Sequence, residues 1–177
     1  PDSTGYWDVR RYLSEFLSDR RVIEMSPLLW QPILQGIILS IRPSRSAKAY
    51  KRVWNNAADE SPLRTITRDQ AGRLSSLMEE DNLIVDWAMR YGSPSIAKKL
   101  SDFRDVGCDR ILLAALYPQY SATTSATAYD KAFEALKKMR WQPAIRTLPP
   151  YHDDPAYISA LKISVEKHLS DLEWEPD

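Results

Sequence analysis

The apolar run at residues 111–116 limits what this chain of 177 residues can fold into more than any other feature of its sequence. Six successive residues without a charged side chain are typical of a buried strand that helices cover on both faces. A second run lies at 83–89, and a shorter strand is predicted at 143–148. Because stretches of helical periodicity separate them, the pattern predicts an α/β fold with a parallel sheet flanked by helices.

Helical periodicity marks seven stretches in which apolar residues recur at intervals of three and four. They are residues 8–20, 27–38, 47–54, 65–78, 94–106, 125–139 and 155–169. The Arg-Pro pair at 42–43 is expected to interrupt the second helix, because the residue before a proline is driven out of the α region. Thr65 or Thr67 is predicted to cap the fourth helix, and Asp153 or Asp154 the last.

Composition and charge argue against several classes of protein. Twenty-four basic residues balance 24 acidic ones, so no net field favours nucleic acid as a partner. The single cysteine permits no internal disulfide, which is consistent with a reducing compartment and a cytoplasmic location. No run of about 18 apolar residues is present that could span a membrane.

The glycines and histidines argue against two common kinds of site. The five glycines stand too far apart for a glycine-rich phosphate-binding loop. His152 and His168 are the only histidines, and with Cys108 they cannot form a zinc site. We therefore expect no resident metal, an inert buried thiol at Cys108, and structural or surface roles for both histidines.

A set of short strings spread over the whole chain carries a more specific signal. The strings are DV at 8–9, FLSDR at 16–20, RP at 42–43 with Tyr50 following, SPL at 61–63, WAMRYG at 87–92, GCDRI at 107–111, LYPQYS at 116–121 and PPY at 149–151. In this order they resemble the ferrochelatase family in its bacterial type, the metal chelatases (lyases) that insert ferrous iron into protoporphyrin IX in haem biosynthesis. The YPQYS string after an apolar run is the most specific of them.

The resemblance implies a two-domain α/β protein with a Rossmann-like, chelatase-type fold and a four-stranded parallel sheet in each domain. Residues 1–177 would then form one incomplete domain, the N-terminal half without its first strand, because Pro1 matches the proline of a turn that follows that strand. The family's catalytic histidine and glutamate are expected beyond Asp177. The fragment alone is therefore expected to be inactive, with the missing half of the protein as its partner.

The resemblance assigns capture of the porphyrin propionates to Arg42, Tyr50 and Ser61. A guanidinium can bind a carboxylate through two parallel hydrogen bonds, and hydroxyl groups can add further ones. The residues by themselves leave another interpretation open, in which Arg42 ends a helix and Ser61 starts a turn before Pro62.

The resemblance also places Arg90 and Tyr91 near the porphyrin centre, and Tyr117 and Gln119 are predicted to line the same cleft. These residues follow the two apolar runs, and ligands of parallel sheets gather beyond the carboxyl ends of strands. The alternative for Arg90 and Tyr91 is an arginine paired with a local carboxylate and a tyrosine packed at a sheet edge. For Tyr120 we predict a structural role.

Leu28, Leu29 and Trp30 match the family's active-site lip, whereas Phe16 and Leu17 are predicted to lie in the core. In some members this lip also rests on a membrane, which implies peripheral contact at the inner membrane. Apolar stripes at helical spacing are otherwise ordinary core.

The resemblance implies that the chain itself binds no cofactor, since ferrous iron is a substrate. Some members hold an iron-sulfur cluster through a ligand in the YPQYS region, and the matching position here is Ala122, which cannot be a ligand. Protoporphyrin IX and ferrous iron are the expected partners. The alternatives are a ferrochelatase acting on coproporphyrin III, a non-catalytic porphyrin-binding or interaction module, and an α/β scaffold without porphyrin contact.

Overall fold

The computed structural model describes residues 1–78 and 83–172 of the chain. Within that part, seven α-helices and a two-stranded sheet follow one another in the order α1 Tyr6–Leu17, α2 Pro27–Ile33, α3 Leu39–Val53, α4 Pro62–Leu77, α5 Ile96–Asp105, β1 Arg110–Leu113, α6 Thr127–Lys137, β2 Ala144–Thr147 and α7 Pro155–Ser170. Two π-helical segments, Leu34–Ile38 and Ala122–Ala126, lead into α3 and α6. The predicted α/β class is confirmed.

The sheet pairs β1 with β2 in parallel, in a register that runs from Arg110 opposite Ala144 to Leu113 opposite Thr147. Helix α6 makes the connection between them, as the βαβ pattern predicts. The main-chain pairing continues one residue further, because the N–H of Leu148 donates to the carbonyl of Leu113 at 2.9 Å. Parallel pairing of the predicted strands at 111–116 and 143–148 is thus confirmed, although β1 is shorter than its apolar run.

The predicted strand at 83–89 is wrong. Its residues form no ladder, and only Met89 makes an isolated bridge, through its N–H to the carbonyl of Pro94 at 2.8 Å. The backbone N–H of Trp87 donates a hydrogen bond to the neighbouring carboxylate of Asp86 at 2.8 Å and is therefore not available to a ladder. Leu83 is 57% exposed. An apolar run becomes a strand only where a second strand pairs with it, and the composition of the run does not provide that partner.

The predicted break at Arg42–Pro43 is also wrong, because α3 runs through it. Pro43 has no N–H for the carbonyl of Leu39 one turn earlier, a loss that ordinarily kinks a helix. Here that carbonyl accepts a hydrogen bond from the hydroxyl of Tyr6 at 3.4 Å, and the π-helical segment Leu34–Ile38 ends just before it. Pro43 itself is fully buried, so its ring contributes to the core. The helix predicted at 47–54 is therefore the second half of α3.

The first of two hydrophobic cores lies between α1 and α3. The residues of α1 that face it are spaced at i, i+4 and i+8, as helical geometry requires. The buried members of this core are Val9, Leu13, Leu17, Leu34, Leu39 and Ala47, with Phe16 and Trp30 partly buried against them. The predicted core position of Leu17 is confirmed.

The second core lies where α5 and α6 cover one face of the sheet. Its buried members are Leu100, Ile111, Ala132, Ala135 and Leu136. Leu112, which points to the other face of β1, is 61% exposed. In the described part of the chain, helices therefore cover one face of this strand, whereas the sequence predicts cover on both.

Three helices, α2, α4 and α7, bury none of their described residues. Each begins with a proline directly after its N-cap residue, an arrangement that fits the unpaired N–H groups of a first turn. The cap of α4 is Ser61 rather than Thr65 or Thr67. Asp154 caps α7, which confirms one of the two predicted residues. No helix in the described ranges is long and apolar enough to cross a membrane.

Candidate functional site

An aromatic cluster, formed by Tyr12, Phe16, Tyr50 and Tyr91, brings together side chains from three segments of the chain. The ring of Tyr12 on α1 meets Tyr50 of α3 and Tyr91 of the turn before α5, each with its centroid 6.1 Å away and nearly perpendicular. Phe16 lies one turn after Tyr12 and meets the ring of Tyr91 edge-on at 5.2 Å. Two of the predicted porphyrin contacts, Tyr50 and Tyr91, thus share one surface.

The cluster is a poor place for a negative charge. Burial, assisted by the neighbouring phenols of Tyr50, Tyr91 and Tyr117, raises the pKa of Tyr12 well above its usual value. Because Tyr117 contributes to this shift, it also lies near the cluster, although its ring is 43% exposed. At neutral pH the cluster therefore presents uncharged rings with hydroxyl groups.

Asp19, two residues beyond the end of α1, is the centre of a hydrogen-bond network beside the cluster. Its Oδ2 accepts from Nη2 of Arg90, from the hydroxyl of Thr127, and from the hydroxyl of Tyr91 at 2.8 Å. Its Oδ1 accepts from the backbone N–H of Arg21 at 2.8 Å. The Asp19 side chain is only 8% exposed, so these protein groups replace its water.

Arg90 is held on several sides. Its Nε donates to the hydroxyl oxygen of Thr127 at 2.7 Å, and its guanidinium carbon lies 4.2 Å from the ring centroid of Tyr91. Nη1 lies 3.8 Å from a carboxylate oxygen of Glu15, too far for a hydrogen bond. This buried nitrogen has no hydrogen-bond partner among the described residues. Arg90 thus pairs with a local carboxylate, the alternative that the sequence leaves open, while part of its donor capacity remains unused.

The network fixes the protonation states of Asp19 and Tyr91. Burial of Asp19 opposes its ionisation, but hydrogen bonds from Thr127, the Arg21 backbone and Tyr91, together with the charge of Arg90, hold its pKa below the usual value. Burial, together with the hydrogen bond to the Asp19 carboxylate, raises the pKa of Tyr91 to about 12. At neutral pH, Asp19 is therefore the ionised acceptor and Tyr91 the protonated donor.

Gly92 allows the turn that directs Tyr91 into the cluster. Its φ of +83° lies in the left-handed region that glycine occupies without strain. A Cβ at this position would come within 3.0 Å of a carboxylate oxygen of Asp2, which accepts from the N–H of Ser93 at 2.9 Å. The N–H of Gly92 donates to Glu15 at 3.3 Å, which ties the turn to α1.

Arg42 lies apart from the cluster, on an exposed face of α3. Eight residues separate it from Tyr50, which corresponds to about 12 Å along the helix axis. It borders an open groove of about 540 Å³ whose lining is mainly apolar with two cations: Ile37, Ile38, Ile41, Arg42, Arg45, Ser46 and Ala49. The structure thus places Arg42 beside an apolar surface and does not bring it into contact with Tyr50.

Ser61 has the structural role that the sequence leaves open. Its hydroxyl oxygen accepts the N–H of Arg64 at 3.3 Å and caps α4. A tight loop positions it, because Asn55 and Glu60 exchange two main-chain hydrogen bonds of 3.0 and 3.3 Å. The buried Glu60 carboxylate pairs with Arg64 and Arg68. The hydroxyl hydrogen of Ser61 is not used by the cap and can still be donated.

The segment after β1 carries the remaining predicted cleft residues. Tyr117 lies near the aromatic cluster, and Gln119 is exposed. The main chain is fixed between them, because the N–H of Tyr151 donates to the carbonyl of Pro118 at 3.0 Å. The predicted structural role of Tyr120 is wrong, since its ring is 60% exposed.

The predicted lip divides into two parts. Leu28 is 87% exposed and Leu29 66% exposed on α2. Trp30 differs, because it is partly buried against the first core and its indole N–H donates to the carbonyl of Leu17 at 2.6 Å. Trp30 thus also has a packing role, and the lip assignment of Leu28, Leu29 and Trp30 stays a prediction.

Residues considered for metal chemistry lie elsewhere. Cys108 is half-buried rather than fully buried. His152 is exposed in the turn before α7, and His168 is exposed in the last turn of α7. Ala122 opens the second π-helical segment. In residues 1–78 and 83–172, no three histidine, cysteine, aspartate or glutamate side chains are grouped as metal ligands would be.

Sequence reasoning missed Asp19, Glu15 and Thr127 as parts of this site. Asp19 stands in the FLSDR string, but its partners in the network are 71, 72 and 108 residues away. The spacing of residues carries no signal over such distances. The one available hint was the pair of Tyr12 and Phe16, which share a face of α1 at i, i+4.

Comparison with known proteins places the whole chain in one group. The family model described as Ferrochelatase matches residues 1–177. The chain is 58% identical over 178 residues to the protein named Ferrochelatase in Agrobacterium fabrum (strain C58), 58% to that of Rhizobium meliloti (strain 1021) and 57% to that of Chelativorans sp. (strain BNC1). Each comparison covers 100% of this chain and 52%, 52% and 50% of the relative. The chain thus spans about half the length of the curated relatives it matches.

Proposed function

Because the chain belongs to the ferrochelatase family, we propose that the whole protein inserts Fe(II) into protoporphyrin IX to give protohaem. The residues described above supply walls of the porphyrin cleft and contacts to its propionates. The observation that carries this proposal is the convergence of Tyr50 and Tyr91 on Tyr12, from segments far apart in the sequence.

The aromatic cluster suits the macrocycle. A porphyrin is flat and apolar over its faces, and aromatic side chains bind such surfaces through stacked and edge-on contacts. The cluster offers ring edges and ring faces together with hydroxyl groups that stay protonated at neutral pH. These features support a role as one wall of the cleft, with Gln119 at its exposed border.

The groove along α3 suits the charged edge of the same molecule. Propionates are carboxylates, and the guanidinium of Arg42 can bind them through paired hydrogen bonds. Arg45 and Ser46 border the same groove beside the side chains of three isoleucines. Tyr50 and Ser61 can add hydroxyl donors if the propionates extend toward them.

We assign the chemistry at the metal to the part of the protein that these 177 residues do not cover. Metallation requires a base that accepts pyrrole protons and ligands that replace the water around Fe(II). Asp19 already accepts four hydrogen bonds from the protein, and the phenols of Tyr12 and Tyr91 hold their protons. The family's catalytic histidine and glutamate would therefore come from the other half, which is the chain's expected partner.

We also propose that the protein works in the cytoplasm, with peripheral contact at the inner membrane. The exposed Leu28 and Leu29 would enter the bilayer interface, with exposed Arg20 and Arg21 near the anionic headgroups. No iron-sulfur cluster ligand is assigned to the segment at Ala122.

Titration of the protein with protoporphyrin IX tests the binding proposal, followed by Soret absorbance and by quenching of its six tryptophans. The matched variants are Arg42→Gln and Lys51→Gln, because both remove an exposed cation from α3 and Lys51 is not among the residues that line the groove. We expect Arg42→Gln to weaken binding about tenfold, the effect of losing one charge-assisted contact of about 1.4 kcal/mol. Equal effects of the two substitutions would contradict a specific propionate contact.

Anaerobic addition of Fe(II) to the porphyrin complex separates the remaining functions. Loss of the free-porphyrin fluorescence at a rate above that of the protein-free solution indicates a chelatase. Binding without insertion by the protein translated from its complete reading frame would favour a non-catalytic porphyrin-binding module. Competition with coproporphyrin III, which carries four propionates, decides which porphyrin is preferred.

A further inference from the structure

We propose that Asp19 is a positioning residue for porphyrin metallation, which holds Arg90 and Tyr91 in one orientation within the cleft. This inference rests on the proposed function and adds to it a residue whose role lies outside direct substrate contact. This role follows from which protein groups bind the carboxylate oxygens of Asp19 and the guanidinium nitrogens of Arg90.

Asp19 has little capacity left for a ligand of its own. Three donors from the protein already bind Oδ2, and a fourth, the backbone N–H of Arg21, binds Oδ1, which leaves about one acceptor position on Oδ1. With 8% of its side chain exposed, it is also shielded from solvent. Its effect on a substrate must therefore act through the groups that it binds.

Arg90 is the principal group so bound. Its Nε is engaged by Thr127, its Nη2 by Asp19, and its plane lies over the ring of Tyr91. These contacts fix the rotation of the guanidinium and leave Nη1 buried without a hydrogen-bond partner among the described residues. Nη1 lies 3.8 Å from the Glu15 carboxylate, so the guanidinium is held between two carboxylates in one orientation.

Thr127 completes the arrangement from the far side. Its hydroxyl group donates a hydrogen bond to Asp19 and accepts one from Arg90. A single oxygen atom therefore links the carboxylate to the guanidinium beside their direct contact. The residue is 1% exposed at the start of α6, which makes this a rigid support. Three segments of the chain therefore meet at the Asp19 carboxylate: the end of α1, the turn at Tyr91 and the start of α6.

The pairing also adjusts the charge that the cleft presents. An unpaired guanidinium near the porphyrin centre would repel an incoming Fe(II) ion, and the repulsion would be strong in a partly buried site. The ionised Asp19 carboxylate offsets that charge, and Glu15 lies 3.8 Å from Nη1 as a second anion. Arg90 and Arg42 thus differ in kind, because Arg90 is paired with carboxylates whereas Arg42 lies on an exposed face beside the groove.

The test compares Asp19→Asn with Asp130→Asn in the protein translated from its complete reading frame. Both substitutions remove one carboxylate paired with an arginine, but Asp130 lies at the surface, 2.7 Å from Arg21. We expect Asp19→Asn to weaken protoporphyrin binding at least tenfold, to shift the Soret maximum of the saturated complex, and to lower kcat for Fe(II) insertion at least tenfold. We expect Asp130→Asn to match the wild type in all three.

The Soret maximum and the Kd separate positioning from a merely structural role. A substitution that only lowers the folded fraction reduces the amplitude of the titration and leaves the Kd and the maximum of the bound porphyrin unchanged. Asp19→Glu restores the charge, and we expect it to recover most of the lost kcat. A folded Asp19→Asn protein with wild-type Kd, Soret maximum and kcat would overturn the proposal.

A second variant keeps the test decisive if Asp19→Asn does not fold. Thr127→Val retains the size of the side chain and removes both of its hydrogen bonds. We expect porphyrin affinity to fall about threefold to tenfold, and the Soret maximum to shift in the same direction as in Asp19→Asn. Unchanged values would overturn the proposal. If the wild-type protein neither binds nor metallates porphyrin, the proposed function itself is wrong. If the wild type is active and Asp19→Asn is equally active, only the positioning role of Asp19 is wrong.

Discussion

At the scale of single residues, the chemistry of the site depends on which groups carry protons. Asp19 is ionised because three hydrogen bonds and the charge of Arg90 outweigh the effect of its burial. Tyr91, which donates to it, keeps its proton up to a pKa of about 12. None of this could be predicted from the sequence, because the contributing groups come together only when α1, the turn at Tyr91 and α6 have folded. The position of Arg90 and Tyr91 after an apolar run, together with the family resemblance, pointed to these two residues.

The lowered pKa of Asp19 predicts a pH dependence of stability. The pKa of an unfolded aspartate is about 3.9, and the pKa of Asp19 in the folded protein lies below it. The ionised carboxylate therefore stabilises the folded state fully above about pH 5. This stabilisation is lost as the pH falls through the folded pKa. We predict that the free energy of unfolding of the wild type exceeds that of Asp19→Asn at pH 7, and that this difference shrinks by pH 3. Urea unfolding followed by circular dichroism at both pH values measures it. A difference that stays constant with pH would contradict the assignment.

At the scale of elements, the sequence predicts what local periodicity determines and fails where partners are distant. Helix α1 follows from its own stripe of apolar residues, and α7 from its capping aspartate and proline. The run at 83–89 has the composition of a strand but no ladder, since pairing depends on other segments. Helix α3 passes through Pro43 because tertiary contacts, the hydroxyl of Tyr6 among them, compensate for the lost hydrogen bond.

The packing of α3 makes a prediction about stability. Leu39 is fully buried one turn before Pro43, and removal of such a side chain leaves a cavity that costs about 2–5 kcal/mol. We predict this loss in the free energy of unfolding for Leu39→Ala. Leu28→Ala, at a position 87% exposed, should cost about 0.5 kcal/mol or less. Chemical denaturation of both variants measures the difference, and similar costs would contradict the position of α3 in the first core.

At the scale of the whole molecule, the proposed function divides binding and chemistry between parts of the protein. The 177 residues contain an aromatic cluster, an apolar groove bordered by two arginines and a fixed Arg90, which the proposal assigns to porphyrin binding. They also leave apolar surface uncovered, since α4 and α7 bury no described residue. The relatives are about twice as long, so the remaining half of such a protein is the natural source of cover for these helices.

This division predicts how residues 1–177 behave by themselves. We expect the isolated chain to bind protoporphyrin IX saturably but to insert Fe(II) no faster than the protein-free solution. The reason is that the proposed proton acceptors, the family's catalytic histidine and glutamate, are expected in the other half, while the raised pKa values of Tyr12 and Tyr91 keep their phenols protonated at neutral pH. Anaerobic insertion assays on this chain and on the product of the complete reading frame, at equal bound porphyrin, make the comparison. Equal rates would show that the proton acceptor lies within residues 1–177, and the assignment of that role to the other half would then be wrong.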